Sequence, residues 1–195
     1  MDIVGFVSEL VAEFGVSQGL VHGTRQRPEV GLWKAPCSGW CKANFDGAWF
    51  RELQCLGIGV IVRDDCGKVI AACSKQVPSW ADTDVAEAYA ALSAVQFVRE
   101  LGLSAIHLEG DSSLIIKEIQ LGVASLSPFG HLISAIINEL SSFSQYKISH
   151  VHREGNSAAY CLARMAVHSA AARIWMEASP PAISLIVAQE ASCPP

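Results

Sequence analysis

The chain has 195 residues, a length that suggests one domain of ordinary size together with additional segments. Hydrophobic residues make up 51% of the sequence, so a core can form and global disorder is disfavoured. The formal net charge of −5 argues against a protein that coats nucleic acid by electrostatics alone. It leaves room for a local nucleic-acid site whose own acids hold metal ions.

The cysteines and the apolar stretches bear on the compartment. There are seven cysteines, an odd number, and no pair has the C-x-x-C spacing of a zinc site. Cys41, Cys73 and Cys161 lie within apolar patterns, which is typical of small core residues in a reducing compartment. No stretch of about 20 uncharged apolar residues is present, and the N-terminus carries acids where a signal peptide needs bases. We therefore expect an intracellular protein, cytoplasmic or nuclear, that does not bind membranes.

Three parts can be distinguished along the chain. Residues 1–32 begin with "DIVGFVSELVAEFG", which could form a short amphipathic helix, and continue as a polar linker rich in glycine and proline. Residues 33–170 carry the strong strand and helix patterns described below. Residues 171–195 form a C-terminal tail, which either packs as an extra element or stays loose.

Strand patterns follow one another from Trp40 to about Lys75. "WCKANFDGAWF" alternates between apolar and polar residues, and "GIGVIVRD" and "VIAACS" are apolar runs typical of strands. The turn "DDCGK" separates the last two, with Gly67 placed for a positive φ angle. These short connections predict three antiparallel strands in a meander.

A helix and a fourth strand come next. "DTDVAEAYAALSAVQFVRELG" predicts a helix that Thr83 or Asp84 caps and that Gly102 ends. "SAIHLEGD" predicts a strand, and because a helical crossover leads to it, we expect it to run parallel to the first strand.

The remaining patterns complete the predicted domain. Two helices are expected at about 112–121 and 128–141, "YKISHVH" predicts a fifth strand, and "NSAAYCLARMAVHSA" predicts a last helix capped by Asn156 or Ser157. The order β-β-β-α-β-α-α-β-α predicts an α/β fold. Its sheet would be mixed and five-stranded, with three antiparallel strands, two parallel additions and helices on both faces.

Three acids from separate elements could converge in this topology. Asp46 lies on the first strand, which is central, and Asp111 ends the parallel fourth strand, at the edge where α/β sheets form their sites. Glu87 lies in the first turn of the crossover helix. Carboxylates this close need compensation, which a divalent cation supplies, and oxygen ligands favour Mg²⁺ or Mn²⁺. Two such ions about 3.5–4 Å apart suit phosphodiester cleavage.

Each acid also has a purely structural interpretation. Asp46 before a glycine could belong to a turn, Glu87 could interact with the helix dipole, and Asp111 could cap a helix. The arrangement of the three acids together favours the metal site.

The motifs match a known family in order. "WCKANFDGAW…GIGVIVRDDCGKVI…AEAYAALSAV…HLEGDSSLIIKEI…HVHREGNSAAYCLARMA" resembles the ribonuclease H-type domain found widely in plant genomes, which is similar to the ribonuclease H portion of non-LTR retrotransposon polyproteins. The similarity spans about 40–166, and "W-x-x-P" at 33–36 fits as well. The resemblance implies metal-dependent hydrolysis of the RNA strand in RNA–DNA hybrids. It also implies that Asp46, Glu87 and Asp111 are three of four catalytic, metal-binding acids.

The fourth acid of the family pattern is absent. The family places an aspartate four residues after the asparagine of "REGN", where this chain has Tyr160. A neutral phenol is a poor Mg²⁺ ligand, so the second metal position should be weakened more than the first. Alternatively, Tyr160 only packs near Arg164, one turn further on. The family often uses a mobile histidine before the last helix, which makes His150 a candidate auxiliary residue, although its segment has a strand pattern.

Contacts to a substrate are less visible in the sequence. Asn44, Ser112 and Asn156 lie next to the acids and could bond sugar hydroxyls or phosphates. The bases of the second and third strands, Arg63 among them, are interpreted as a solvated face, so hybrid affinity should be weak and salt-sensitive.

Three functions remain open. The first is a Mg²⁺-dependent nuclease that cleaves RNA–DNA hybrids. The second is a nucleic-acid-binding module without efficient chemistry, and the third is a retroelement-derived interaction domain without a substrate. We expect a monomer in each case.

Overall fold

The computed structural model describes residues 32–79, 82–123 and 126–191. The helix expected within residues 2–15 lies outside these ranges. None of the helices in the described part combines the length and the apolar character that crossing a bilayer requires.

The described strands form one mixed sheet. They are β1 (Cys41–Phe50), β2 (Cys55–Arg63), β3 (Val69–Pro78), β4 (Ala105–Gly110), β5 (Gln145–His150) and β6 (Arg173–Met176). Their order across the sheet is β5-β4-β1-β2-β3-β6. The pairs β1–β2, β2–β3 and β3–β6 are antiparallel, whereas β4 is parallel to both β1 and β5. The predicted α/β class, the meander and the two parallel additions are confirmed.

The strand count differs from the prediction by one. The sequence predicts five strands, and the described residues form six because the C-terminal segment adds β6 to the edge of the meander. β6 pairs with residues 71–74 of β3. A four-residue strand on an existing edge is held by backbone hydrogen bonds and needs no long alternating pattern, so "RIWM" gave little signal.

Helices cover both faces of the sheet. They are α1 (Thr83–Glu100), α2 (Ser113–Leu121), α3 (Gly130–Leu140), α4 (Ser157–Met165) and α5 (Pro181–Ala191), and one-turn 3₁₀ helices lie at Arg153–Asn156 and Ala166–His168. Asp82 caps α1 by accepting from the Val85 backbone N–H at 3.0 Å, so the predicted caps Thr83 and Asp84 are wrong by one or two positions. An aspartate just outside a helix performs the same role.

The two faces of the sheet differ in polarity. Ala43 and Phe45 of β1 point into an apolar core shared with α1, α2 and α3. The alternate residues Lys42, Asn44 and Asp46 must therefore point to the opposite face, and all three are buried there. The predicted alternation of β1 thus separates a hydrophobic core from a buried polar layer.

Helix α4 approaches the polar face of the sheet closely. A Cβ atom at Gly59 of β2 would lie 2.1 Å from the carbonyl oxygen of Ala159, and one at Gly57 would lie 2.2 Å from that of Ala163. Only glycine allows this separation between α4 and the sheet. The close packing fixes the start of α4 next to β1, where Asp46 lies.

The C-terminal segment packs onto the same face through a buried ion pair. Arg63, at the end of β2, is 1% exposed and pairs with Glu190 of α5. Its guanidinium carbon lies 3.8 Å from the ring centroid of Trp33. The interpretation of Arg63 as part of a solvated face is therefore wrong. Of the two alternatives for the tail, packing holds for residues 173–176 and 181–191.

Removing Glu190 should destabilise the fold strongly. Glu190→Ala leaves the Arg63 charge buried without its anion, and we expect the free energy of unfolding to fall by about 3–5 kcal/mol. Urea denaturation measures this loss. Gln189→Ala, at the exposed neighbouring position, is the control and should change stability by less than about 0.5 kcal/mol.

The double variant Arg63→Met/Glu190→Met tests the cause. Replacing both charges by apolar groups should recover much of the loss, since no buried charge is then unpaired. A double variant as unstable as Glu190→Ala would show that the ion pair itself is not the source of the effect.

Candidate metal centre

Strand register brings two of the acids to the same level. β1 and β4 are parallel neighbours in which Asn44 lies opposite Glu109. Asp46 and Asp111 each follow two residues later, so they meet beyond the carboxyl end of β4. Glu87 comes from the first turns of α1. Oxygen atoms of these three carboxyl groups all lie within 4.8 Å of one another.

A glycine allows α1 to reach this point. A Cβ atom at Gly47 would lie 2.3 Å from the carbonyl oxygen of Ala86 and 2.7 Å from the backbone nitrogen of Glu87. The glycine of "FDGA" therefore serves the site by letting the helix carrying Glu87 contact the strand carrying Asp46.

Proximity and burial raise the pKa values of two of the three acids. Burial, followed by repulsion from Asp111, raises the pKa of Asp46 to about 8. Burial, followed by the charges of Asp46 and Asp111, also raises the pKa of Glu87 well above its ordinary value. The site thus holds protons that a cation would displace.

The donor set fits a divalent cation. Three carboxylates offer only oxygen, the ligand type that Mg²⁺ and Mn²⁺ prefer. Oε2 of Glu87 is buried and has no hydrogen-bond partner among the described residues. A buried carboxylate oxygen without a partner is costly unless a cation binds it.

Asn156 connects the acids to the backbone of the sheet. Its Nδ2 group donates to Oδ1 of Asp111 at 3.2 Å and to the carbonyl oxygen of Phe45 at 2.9 Å. The side chain makes no capping hydrogen bond to α4, although Asn156 precedes that helix. Asn156 thus occupies the predicted N-cap position, but its acceptor oxygen takes a hydrogen bond from Asn44 at 3.4 Å instead of capping the helix.

A buried polar network continues below the acids and was missed in the sequence. Asn44 donates to Asn156 at 3.4 Å and to Glu109 at 3.1 Å. Glu109 also accepts from Lys42 and from Ser149, each at 3.0 Å. The motif "EGD" could have indicated this network, because Glu109 and Asp111 are two positions apart and therefore share a face of the sheet. Lys42 of the neighbouring strand β1 lies on the same face.

Neutral His107 completes the network. Its Nε2 atom lies 2.6 Å from the Ser149 hydroxyl oxygen. Burial, followed by the positive charge of Lys42, lowers the pKa of His107 to about 4. His107 is thus uncharged near neutral pH and adds no positive charge to the network.

The side chain at the fourth-acid position has a different neighbour from the one expected. The Tyr160 ring centroid lies 4.4 Å from the guanidinium carbon of Arg153. Arg164, the neighbour proposed from helical spacing, instead lies over the ring of Phe50 at 5.0 Å. Tyr160 therefore faces the one-turn helix that precedes α4.

Of the three other candidates, His150 and Ser112 lie at the rim and Asn44 lies below it. His150 ends β5, as its strand pattern predicts, and its Nε2 atom is 3.1 Å from the carbonyl oxygen of Asp111. Ser112 is partly exposed and caps α2, the role considered for Asp111. Asn44 is fully buried, so its amide bonds to protein groups rather than facing solvent.

Solved structures place this architecture in a known class. Ribonuclease H1 of Halobacterium salinarum NRC-1 is 26% identical with a TM-score of 0.62, covering 67% of this chain and 98% of that one. LC11 ribonuclease H1, solved in complex with an RNA/DNA hybrid, is 22% identical with a TM-score of 0.58, covering 66% and 96%. The fold is therefore that of a ribonuclease H-type domain.

The sequence comparisons identify the family. The model described as reverse transcriptase-like matches residues 44–166. An Arabidopsis thaliana protein, which its name assigns provisionally to the ribonuclease H proteins, is 30% identical over 169 residues. That match covers 85% of this chain, and the chain spans 27% of the relative's length. The chain belongs to the reverse transcriptase-like family, and the resemblance to ribonuclease H-type domains is confirmed.

Removing the Asp46 charge should stabilise the protein when metal is removed with EDTA. Native Asp46 keeps its proton up to a pKa of about 8, against the ordinary value of 3.8. The native state therefore binds more protons than the unfolded state, and wild type loses stability as pH rises from about 4 to about 8. Asp46→Asn lacks the contribution of Asp46 to this dependence, which amounts to at most about 1.4 kcal/mol per pH unit, and keeps that of Glu87, whose pKa is also raised. Urea denaturation across this pH range measures the difference.

Glu52→Gln is the matched control for this experiment, because Glu52 is an exposed acid in the turn between β1 and β2. It should follow wild type at every pH. Equal or lower stability of Asp46→Asn at pH 8 would contradict an energetic cost of ionising Asp46.

Proposed function

We propose that this domain hydrolyses the RNA strand of RNA–DNA hybrids with the help of Mg²⁺ or Mn²⁺. One observation carries the proposal: Asp46, Glu87 and Asp111 bring oxygens within 4.8 Å of one another in a ribonuclease H-type fold. The partnerless oxygen of Glu87 supports the same assignment. The proposed catalytic and metal-binding residues are these three acids.

The residues would have different roles in such a site. A divalent cation, when bound, supplies the positive charge and water activation that phosphodiester hydrolysis needs. Asp46 provides a carboxylate on the central strand, and Asn156 holds the Asp111 carboxylate in place. The His150 ring is exposed beside Asp111, where it could exchange a proton with the departing oxygen.

The proposed partner is nucleic acid in the form of an RNA–DNA hybrid. The solved LC11 complex supports this, since a domain of the same fold binds such a duplex. Ser112 is the proposed polar contact to the substrate, because it is partly exposed next to Asp111. Burial of Asn44 and Asn156 favours an orienting role for these two amides. With a net charge of −5, binding should be weak and salt-sensitive.

A second function is favoured by Tyr160. Without the fourth acid, the domain could retain the fold and bind nucleic acid while catalysing cleavage poorly. A retroelement-derived interaction domain without a substrate is the remaining alternative. Calorimetric binding of Mg²⁺ or Mn²⁺ would separate the first two functions from this last one.

The organisation of the whole chain is also a proposal. We propose that residues 33–170 form the ribonuclease H-like domain, preceded by a helix and linker in 1–32 and followed by the segment 171–195. We propose further that the protein acts as a monomer inside the cell, in the cytoplasm or the nucleus.

Restoring the fourth acid should raise activity. Tyr160→Asp adds a carboxylate ligand, and we expect cleavage of a labelled hybrid at high Mg²⁺ to increase by about tenfold or more, since changes around metal ligands alter activity by about 10–100-fold. Gel analysis of the labelled RNA strand measures the rate. Unchanged cleavage in Tyr160→Asp would contradict the role assigned to this position.

Asp46→Asn controls for the source of the activity. It should reduce Mg²⁺-dependent cleavage to background, in the wild-type chain and in Tyr160→Asp alike. Cleavage that survives in both would come from a contaminant or from another site.

A further inference from the structure

A positively charged side chain lies beside the fourth-acid position. Arg153 begins the one-turn helix before α4, and its guanidinium lies over the ring of Tyr160 at 4.4 Å. The two side chains also share a hydrogen bond. Asn156, the last residue of that turn, donates to Asp111 at 3.2 Å. The same short element therefore contacts the acids and carries the cation.

The charge of Arg153 acts on the acidic cluster. Its guanidinium lies near enough to attract the carboxylates of Asp46 and Asp111, and Arg164 attracts Asp46 more weakly. Opposite charges at one site stabilise one another.

The balance of charge limits how many divalent ions fit. Three ionised carboxylates carry three negative charges, and Arg153, the cation that interacts most strongly with Asp46, offsets one of them. A single divalent cation balances the other two. A second would leave an excess of two positive charges beside a guanidinium, which is unfavourable in a partly buried site.

We propose that Arg153, held on the Tyr160 ring, takes the place of a second divalent cation, so that the site binds one ion and contacts the substrate phosphate through the guanidinium. This inference rests on the proposed nuclease site. Arg153 is exposed and Tyr160 is half-buried. The aromatic ring therefore orients the arginine while leaving its N–H groups available for the paired hydrogen bonds that arginine makes with phosphate.

Two binding measurements on the full-length chain test the proposal. Calorimetry and electron paramagnetic resonance with Mn²⁺ should give one ion per wild-type chain. Arg153→Gln should still bind one ion, roughly tenfold more tightly, because the repulsion between guanidinium and Mn²⁺ is gone. The same variant, saturated with Mn²⁺, should bind a hybrid with a cleavage-resistant 2′-fluoro RNA strand about tenfold more weakly, since a charge-assisted phosphate contact is lost.

Opposite changes in the two affinities distinguish this role from a structural one, which would weaken both together. Arg153→Lys retains the charge and should keep the wild-type Mn²⁺ affinity while recovering part of the hybrid affinity. Arg99→Gln removes the same charge at the far end of α1, where Arg99 pairs with Glu139 at 2.6 Å. This control should change neither affinity.

The outcomes separate the two proposals. Two Mn²⁺ ions per wild-type chain, or a parallel loss of both affinities in Arg153→Gln, would overturn the role of Arg153 and leave the nuclease proposal standing. Mn²⁺ binding that is undiminished in Asp46→Asn would remove the nuclease site itself, and with it this inference.

Discussion

The repulsion among three closely spaced carboxyl groups, two of them buried, is the constraint on which the site depends. Asp46 and Glu87 are almost completely buried, and burial followed by the charge of a neighbouring acid raises the pKa of each. Side chains free to move would separate and hydrate. They stay together because β1 and β4 share a fixed register and because Gly47 lets α1 touch β1. The stability that tolerates this arrangement comes from the apolar core on the other face of the sheet.

Hydrogen bonds on the polar face of the sheet connect the acids to residues on other strands. The Asn44 side chain accepts hydrogen bonds from Trp33 at 2.9 Å and from Arg63 at 3.1 Å, and it donates to Glu109 and Asn156. An amide with all of these partners can take only one orientation. Since Asn156 bonds Asp111, the position of one metal-centre carboxylate depends on residues far along the chain.

The C-terminal helix belongs to the same connected set. Glu190 pairs with Arg63, which bonds Asn44, so α5 is linked to the acidic cluster through two buried side chains. The family model ends at residue 166, and the described segment beyond it therefore adds both an edge strand and an anion for the polar layer.

Sequence reasoning succeeded where the signal was local. The alternation in "WCKANFDGAWF" gave the two faces of β1, and the order of strands and helices gave the topology that places Asp46, Glu87 and Asp111 at one edge. It failed where burial is decided by distant residues. Arg63 ends a strand before two aspartates and looks solvated, yet Trp33 and Glu190 cover it. Likewise, helical spacing paired Tyr160 with Arg164, whereas the chain turn before α4 brings Arg153 instead.

If the acids bind metal as proposed, a tyrosine at position 160 changes more than the number of ligands. Four carboxylates would repel the phosphates of a nucleic acid until cations neutralised them, whereas three carboxylates beside a guanidinium repel phosphate less. In the proposed nuclease, a tyrosine in place of the fourth acid would weaken metal binding and would also lower the electrostatic cost of approach for the nucleic acid. Metal dependence and nucleic-acid affinity would then respond in opposite directions to the charge at this one position. Such a site would lose catalytic efficiency without losing its capacity to bind.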